Sequence, residues 1–104
     1  DHRDLHSFPT RRSSDLEMNR GKILDEAKRL TASDRNEIYG DPHINHKRIA
    51  DLWSVYLETE ITPSQVALCL CLVKIARLIE TPDHLDSFID LAAYGAIAGE
   101  IECI

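Results

Sequence analysis

Two apolar segments of this chain carry charged residues at helical spacing, and that limits what the chain can fold into. Val66-Ala67-Leu68-Cys69-Leu70-Cys71-Leu72-Val73-Lys74-Ile75-Ala76-Arg77-Leu78-Ile79 holds Lys74 and Arg77, three residues apart. Leu85-Asp86-Ser87-Phe88-Ile89-Asp90-Leu91-Ala92-Ala93-Tyr94 holds Asp86, Asp90 and Tyr94, stepping by four. On helices each set forms one stripe. Charge inside an apolar run is costly to bury unless something pairs with it. The pairing group is either the opposite stripe or a charged ligand, and every functional reading depends on which.

The chain of 104 residues fits one domain with a single modest core. No uncharged apolar stretch reaches the roughly 18–20 residues of a membrane span. A formal charge of −6 argues against a general nucleic-acid binder, which needs a basic surface, but leaves room for a small nucleotide in a local basic pocket. Three cysteines, Cys69, Cys71 and Cys103, do not form a disulfide framework. Cys69 and Cys71, two apart on a helix, diverge by about 200° and cannot bridge. The odd thiol count points to a reducing cytosol, with Cys69 expected to pack in the core.

Residues 1–16 read differently from the rest. They lack periodicity and are dominated by Arg, Ser and Asp. Ser7-Phe8-Pro9-Thr10-Arg11-Arg12-Ser13-Ser14-Asp15-Leu16 resembles the in-frame translation of a short-read sequencing adapter. The expectation is a non-native leader over 1–16, Met18 as the natural start, and one domain over 17–104. A basic targeting arm is the weaker rival, because Asp1, Asp4 and Asp15 cancel Arg3, Arg11 and Arg12.

Ile23, Leu24, Ala27 and Leu30 predict an amphipathic helix from about Asn19 to Ala32. Gly40 and Pro42 break the pattern. A second helix is expected over His43 to Glu58, with Ile49, Leu52, Trp53, Tyr56 and Leu57 on its buried side. Thr62-Pro63-Ser64-Gln65 combines a Thr cap, a first-turn Pro and a Gln three after the cap, so it starts a third helix. That helix is apolar nearly all round, which predicts a central position and cover from another copy of the protein. Thr81-Pro82-Asp83 reads as the start of a fourth helix ending near Gly99 or beyond. No run alternates at period two long enough for a strand. The expected fold class is all-α, a compact four-helix, oligomeric domain.

Within Asp34-Arg35-Asn36-Glu37-Ile38-Tyr39-Gly40-Asp41-Pro42, Gly40 supplies backbone freedom and Pro42 opens the next helix. Functionally, Arg35 and Tyr39 would reach a ligand at the mouth of the bundle. Asn45 and His46 follow in the next helix's first turns, where backbone N–H groups favour anions. Trp53 would pack in the core or stack on a base. His43 and His46 lack a third ligand at zinc spacing. Asp86 and Asp90 could hold Mg²⁺ with water and phosphate oxygens. The bland alternative is an ion-pair lattice, Asp90 with Lys74 or Arg77 and Tyr94 bonding one of them. There is no Gly-rich phosphate loop, no Ser-His-Asp order and no CxxC pair.

From Asn19 onward the chain resembles a group of small phage proteins. The resemblance rests on Asp34-Arg35, Tyr39-Gly40-Asp41-Pro42, Asn45-His46, Arg48-Ile49-Ala50-x-Leu52-Trp53, Tyr56-Leu57, Ile61-Thr62-Pro63, Val66-Ala67-Leu68, Lys74-Ile75-Ala76-Arg77-Leu78 and His84-x-Asp86-Ser87-x-x-Asp90-Leu91-Ala92-x-Tyr94. That group in turn resembles phage nucleotide-modification-associated domains and MazG-like nucleoside triphosphate pyrophosphohydrolases. The second resemblance is carried by Lys74, Arg77, Asp86, Asp90 and Tyr94. It implies an all-α oligomer binding nucleotides between helices of neighbouring subunits. The chain departs from those enzymes in lacking the Glu-Glu-x-x-Glu metal motif: Asp25-Glu26 is followed three residues on by Arg29. Too few carboxylates converge for a metal cluster.

The reading these observations support is a protein of the bacterial host cytoplasm that sequesters a nucleotide-derived small molecule. Such a sponge would act against host immune signals such as cyclic nucleotides or cyclic ADP-ribose. Its expected ligand-binding residues are Arg35, Tyr39, Asn45, His46, Trp53, Lys74, Arg77, Asp86, Asp90 and Tyr94, with no cofactor, no membrane and no nucleic-acid polymer. One alternative is a Mg²⁺-dependent nucleotide pyrophosphohydrolase using Asp86 and Asp90. Another is a structural or partner-binding phage protein.

Overall fold

A computed structural model describes residues 18–32 and 40–104 of the chain. The expected leader (1–16), Arg35 and Tyr39 lie outside the described residues. Four helices are present among the described residues: α1 Arg20–Leu30, α2 Pro42–Leu57, α3 Pro63–Glu80 and α4 Leu85–Cys103. No strand is present there.

Local chemistry explains the boundaries. The Asn19 side chain caps α1 by accepting from the Lys22 N–H at 2.9 Å. Gly40 takes φ +88°, a region open chiefly to glycine, and turns the chain into Asp41. Asp41 Oδ1 accepts from the His43 N–H at 3.0 Å, and Pro42 opens α2 as expected. Thr62 and Gln65 form a complete capping box on α3. Between α2 and α3, Ser54 Oγ donates to the Ala50 carbonyl at 2.7 Å and accepts the Ile61 N–H at 2.8 Å. That clasp fixes the angle at which the chain leaves α2.

The start of α4 differs from expectation. Thr81 ends α3, its N–H bonding to the Arg77 carbonyl, and His84 bonds back to the Thr81 carbonyl in a turn. The helix therefore begins at Leu85, with His84 at the cap. A Thr-Pro-Asp signal cannot start a helix whose first residue is still closing the one before it.

The most extensive packing is α4 along α3, with α2 against α3 and α1 against α4. Val66, Ala67, Leu70 and Ala50 join Tyr94 and Ile97 in one cluster. Ala27 and Leu30 meet Ile89 and Ala93 in another. Burying an aliphatic side chain such as Val66 or Ile89 contributes about 1.5–3 kcal/mol at most, since the unfolded chain is itself partly collapsed.

Several expected core residues lie outside. Leu52, Tyr56 and Leu57 are exposed, as is Leu24 on α1. The seam of α2 is His46 and Ala50, with Ile49 and Trp53 half-buried beside it. The small Ala50 lets α2 settle there, which turns Leu52 and Tyr56 away. Cys69 is exposed rather than core, and Cys71 is the buried thiol. Helix α3 shares the centre with α4 but is buried on one side only. Its Leu68, Leu72 and Ile75 face outward.

Candidate functional site

The two polar stripes meet. Lys74 Nζ lies 3.3 Å from Asp90 Oδ2, with side chains 1% and 6% exposed. Helix α3 brings Lys74 to this position on the face that also buries Val66, Leu70 and Cys71. Asp90 comes from the middle of α4, one residue from the buried Ile89. Of the two partners open to Asp90 in the sequence, Lys74 is in place. Arg77, one turn further along α3, is half-buried, and so is Asp86, one turn before Asp90. A carboxylate committed to an ammonium is a poor ligand for Mg²⁺. Among the described residues no three His, Cys, Asp or Glu side chains gather as a metal site would require.

The second part of the site joins α2 to α4. His46 and Tyr94 are both buried, their ring centroids 6.4 Å apart and their planes tilted by 57°. His46 Nδ1 is 2.8 Å from the Pro42 carbonyl oxygen. A carbonyl can only accept, so the neutral ring carries its proton on Nδ1 and leaves Nε2 as a bare acceptor. Among the described residues Nε2 is buried with no hydrogen-bond partner. Burial pushes the His46 imidazole below its ordinary range. The Pro42 carbonyl opposes that shift, and the neighbouring His43 adds to it. A buried, neutral imidazole with an unfilled acceptor is what a ligand N–H or O–H donor would complete.

One turn away on both helices, Pro42, His43 and Asp41 face Ile97 and Glu100 across a cleft of about 480 Å³, with Thr31 from the end of α1. His43 Nε2 reaches Glu100 Oε1 at 3.6 Å, an exposed pair that contributes little to stability. Asn45 is half-buried in the same stretch of α2. Trp53, two turns along, packs against the α3 cluster rather than beside His46. The structure thus joins Lys74 to Asp90 and His46 to Tyr94, while Trp53 serves the core.

Sequence reasoning missed Glu100 opposite His43, and Ser87, whose hydroxyl meets His84 Nδ1 at 2.7 Å. The His84–Ser87 spacing of three at a helix start was a readable signal. The His43–Glu100 pair was not, because it joins helices far apart in the chain.

Residues 22–102 match a family described as a domain of unknown function, DUF6378. The chain belongs to that family. It is 50% identical over 82 residues to the Gene 55 protein of Mycobacterium phage D29, covering 79% of this chain and 52% of the phage protein. It is 38% identical over 81 residues to the Gene 55 protein of Mycobacterium phage L5, covering 77% and 52%. The chain therefore spans about half the length of these curated relatives, which are phage proteins, as the sequence resemblance implied. No solved structure matches. Among the described residues no helix is long and apolar enough to cross a membrane.

Proposed function

We propose that this DUF6378 chain binds and sequesters a nucleotide-derived small molecule, acting in the host cytoplasm as a sponge against nucleotide immune signals. The carrying observation is the His46 Nε2 acceptor, buried beside Tyr94 without a hydrogen-bond partner among the described residues. Nucleobases and riboses offer N–H and O–H donors, and Tyr94 offers an aromatic surface. The cleft between His43, Asp41 and Glu100 provides room one turn away. Arg77, half-buried one turn beyond Lys74 on α3, is the cation proposed to meet phosphate. In this reading the protein works as an oligomer with a MazG-like arrangement of helices. Sequestration is preferred to pyrophosphate release because the carboxylates do not fit a magnesium site: Asp90 is paired with Lys74.

The test is calorimetry of the full chain with cyclic AMP, cyclic GMP, ADP-ribose, cyclic ADP-ribose and deoxynucleoside triphosphates, with and without Mg²⁺. Mass spectrometry then identifies what is recovered. Binding of one of them, released intact, is the expected result. Arg77→Ala should weaken it by about 1.5–3 kcal/mol, the value of a charged hydrogen bond. Release of pyrophosphate would replace this reading with the pyrophosphohydrolase one. No binding of any probe would favour a structural or partner-binding role.

A further inference from the structure

The outward face of α3 is uncharged from Leu68 to Ile79. Leu68, Leu72, Ile75 and Ile79 are 52, 61, 43 and 80% exposed, and the exposed Cys69 and Ala76 on their flank are small. The charges of this helix lie elsewhere: Lys74 in the core, Arg77 half-buried and Glu80 exposed at its last residue. Such a stripe is more apolar than an isolated helix face of a monomer usually stays. It offers nothing to a phosphate or an acidic partner.

The spacing of the four large residues is 4, 3, 4. This is the spacing of a two-helix seam, in which side chains of one helix insert between those of the other. It also reads the same from either end. A second copy of α3 laid antiparallel therefore sets Leu68 against Ile79 and Leu72 against Ile75 at both ends at once, as a two-fold interface requires. Cys69 and Ala76 permit close approach of the two backbones. Helix α2, which packs against α3, exposes Leu52, Val55 and Tyr56 as well, and a stable interface covers about 800 Å² per partner.

We infer that α3 is the homodimer interface, its Leu68–Leu72–Ile75–Ile79 stripe packed antiparallel on the same stripe of a second copy. This rests on the oligomeric part of the function proposed above and is independent of the ligand.

Light scattering of the full chain at micromolar concentration reads the mass, and a dimer is expected. Leu72→Glu, at the centre of the seam, should raise the dissociation constant at least about 30-fold, as a central hot spot does, without loss of helicity by circular dichroism. Ile79→Glu, at a more exposed position, repeats the test if Leu72→Glu fails to fold. Register is read by cross-linking with Cys69 and Cys103 changed to serine. Leu68→Cys together with Ile79→Cys should join two copies through a short bismaleimide. Leu68→Cys alone should not, because the two Leu68 positions lie about 16 Å apart along the axis. A monomeric wild type would overturn the interface and the oligomer together. A dimer untouched by both Glu substitutions would overturn this face alone, and cross-linking by Leu68→Cys alone would overturn the antiparallel arrangement. None of these outcomes bears on calorimetric binding of a nucleotide, so the two readings fail separately.

Discussion

Lys74 of α3 and Asp90 of α4 form a buried ion pair, 3.3 Å between Nζ and Oδ2, at the interface with the most extensive packing among the described helices. The pair does not make the fold strong by itself, because removing two charges from water costs about as much as their attraction returns. It does make other packings of α3 on α4 expensive. Any register that separates the two leaves a buried charge without its counterion.

Asp90→Asn keeps the side-chain shape and removes the counter-charge of the Lys74 ammonium. Denaturant unfolding should show a loss of about 3–5 kcal/mol, the range for breaking a buried pair. Lys74→Met with Asp90→Leu should lose less than the sum of the single changes. A double-mutant cycle with no coupling would show that the pair does not act as a unit.

His46 contributes to the acid sensitivity of stability. Its folded pKa lies below the unfolded value of about 6.5, so between the two the unfolded chain binds the extra proton. Stability is full above about pH 6.5 and falls as pH drops through that window. Replacing His46 by Gln should flatten this part of the unfolding-versus-pH curve; an unchanged slope would assign the acid sensitivity elsewhere.

The two helices flanking the second core cluster offer a contrast. Ile89 is 1% exposed, and Ile89→Ala should cost about 2–5 kcal/mol through lost burial and the cavity left behind. Leu24, apolar and on the neighbouring helix, is exposed, and Leu24→Ala should stay within about 0.5 kcal/mol. Melting temperatures of the two variants that fall together would contradict the placement of α1 on α4.

At the start of α3, Thr62→Ala removes the side-chain acceptor of a complete capping box. The expected loss is about 1 kcal/mol, seen as a lower melting temperature. Thr62→Ser should restore most of it, because serine carries the same acceptor.

How much of this was legible in the sequence follows from how local each cause is. Asn19, the Gly40-Asp41-Pro42 turn and the Thr62–Gln65 box act within four residues, so they fixed three helix starts without help from the rest of the chain. The Thr81-Pro82 signal misled because Thr81 was already used to end α3. The two stripes announced that Lys74 or Arg77 would answer Asp90, since charge in an apolar run needs a partner. Which cation answers was decided only when α3 and α4 packed. The same holds for α2: periodicity marked Leu52 and Tyr56 as candidates for burial as readily as Ile49 and Trp53, and the close seat of Ala50 on the neighbouring helices chose between them. His46 could be named from sequence as a ligand candidate. Its bare Nε2 could not, because that depends on the Pro42 carbonyl taking the other nitrogen and on α4 closing over the ring. The helices, their caps and the need for a buried pair are properties of neighbours in the chain and follow from their order alone. Tertiary structure decided which apolar face stays outside and which polar atom stays unsatisfied, because both depend on how much surface one helix can cover on another.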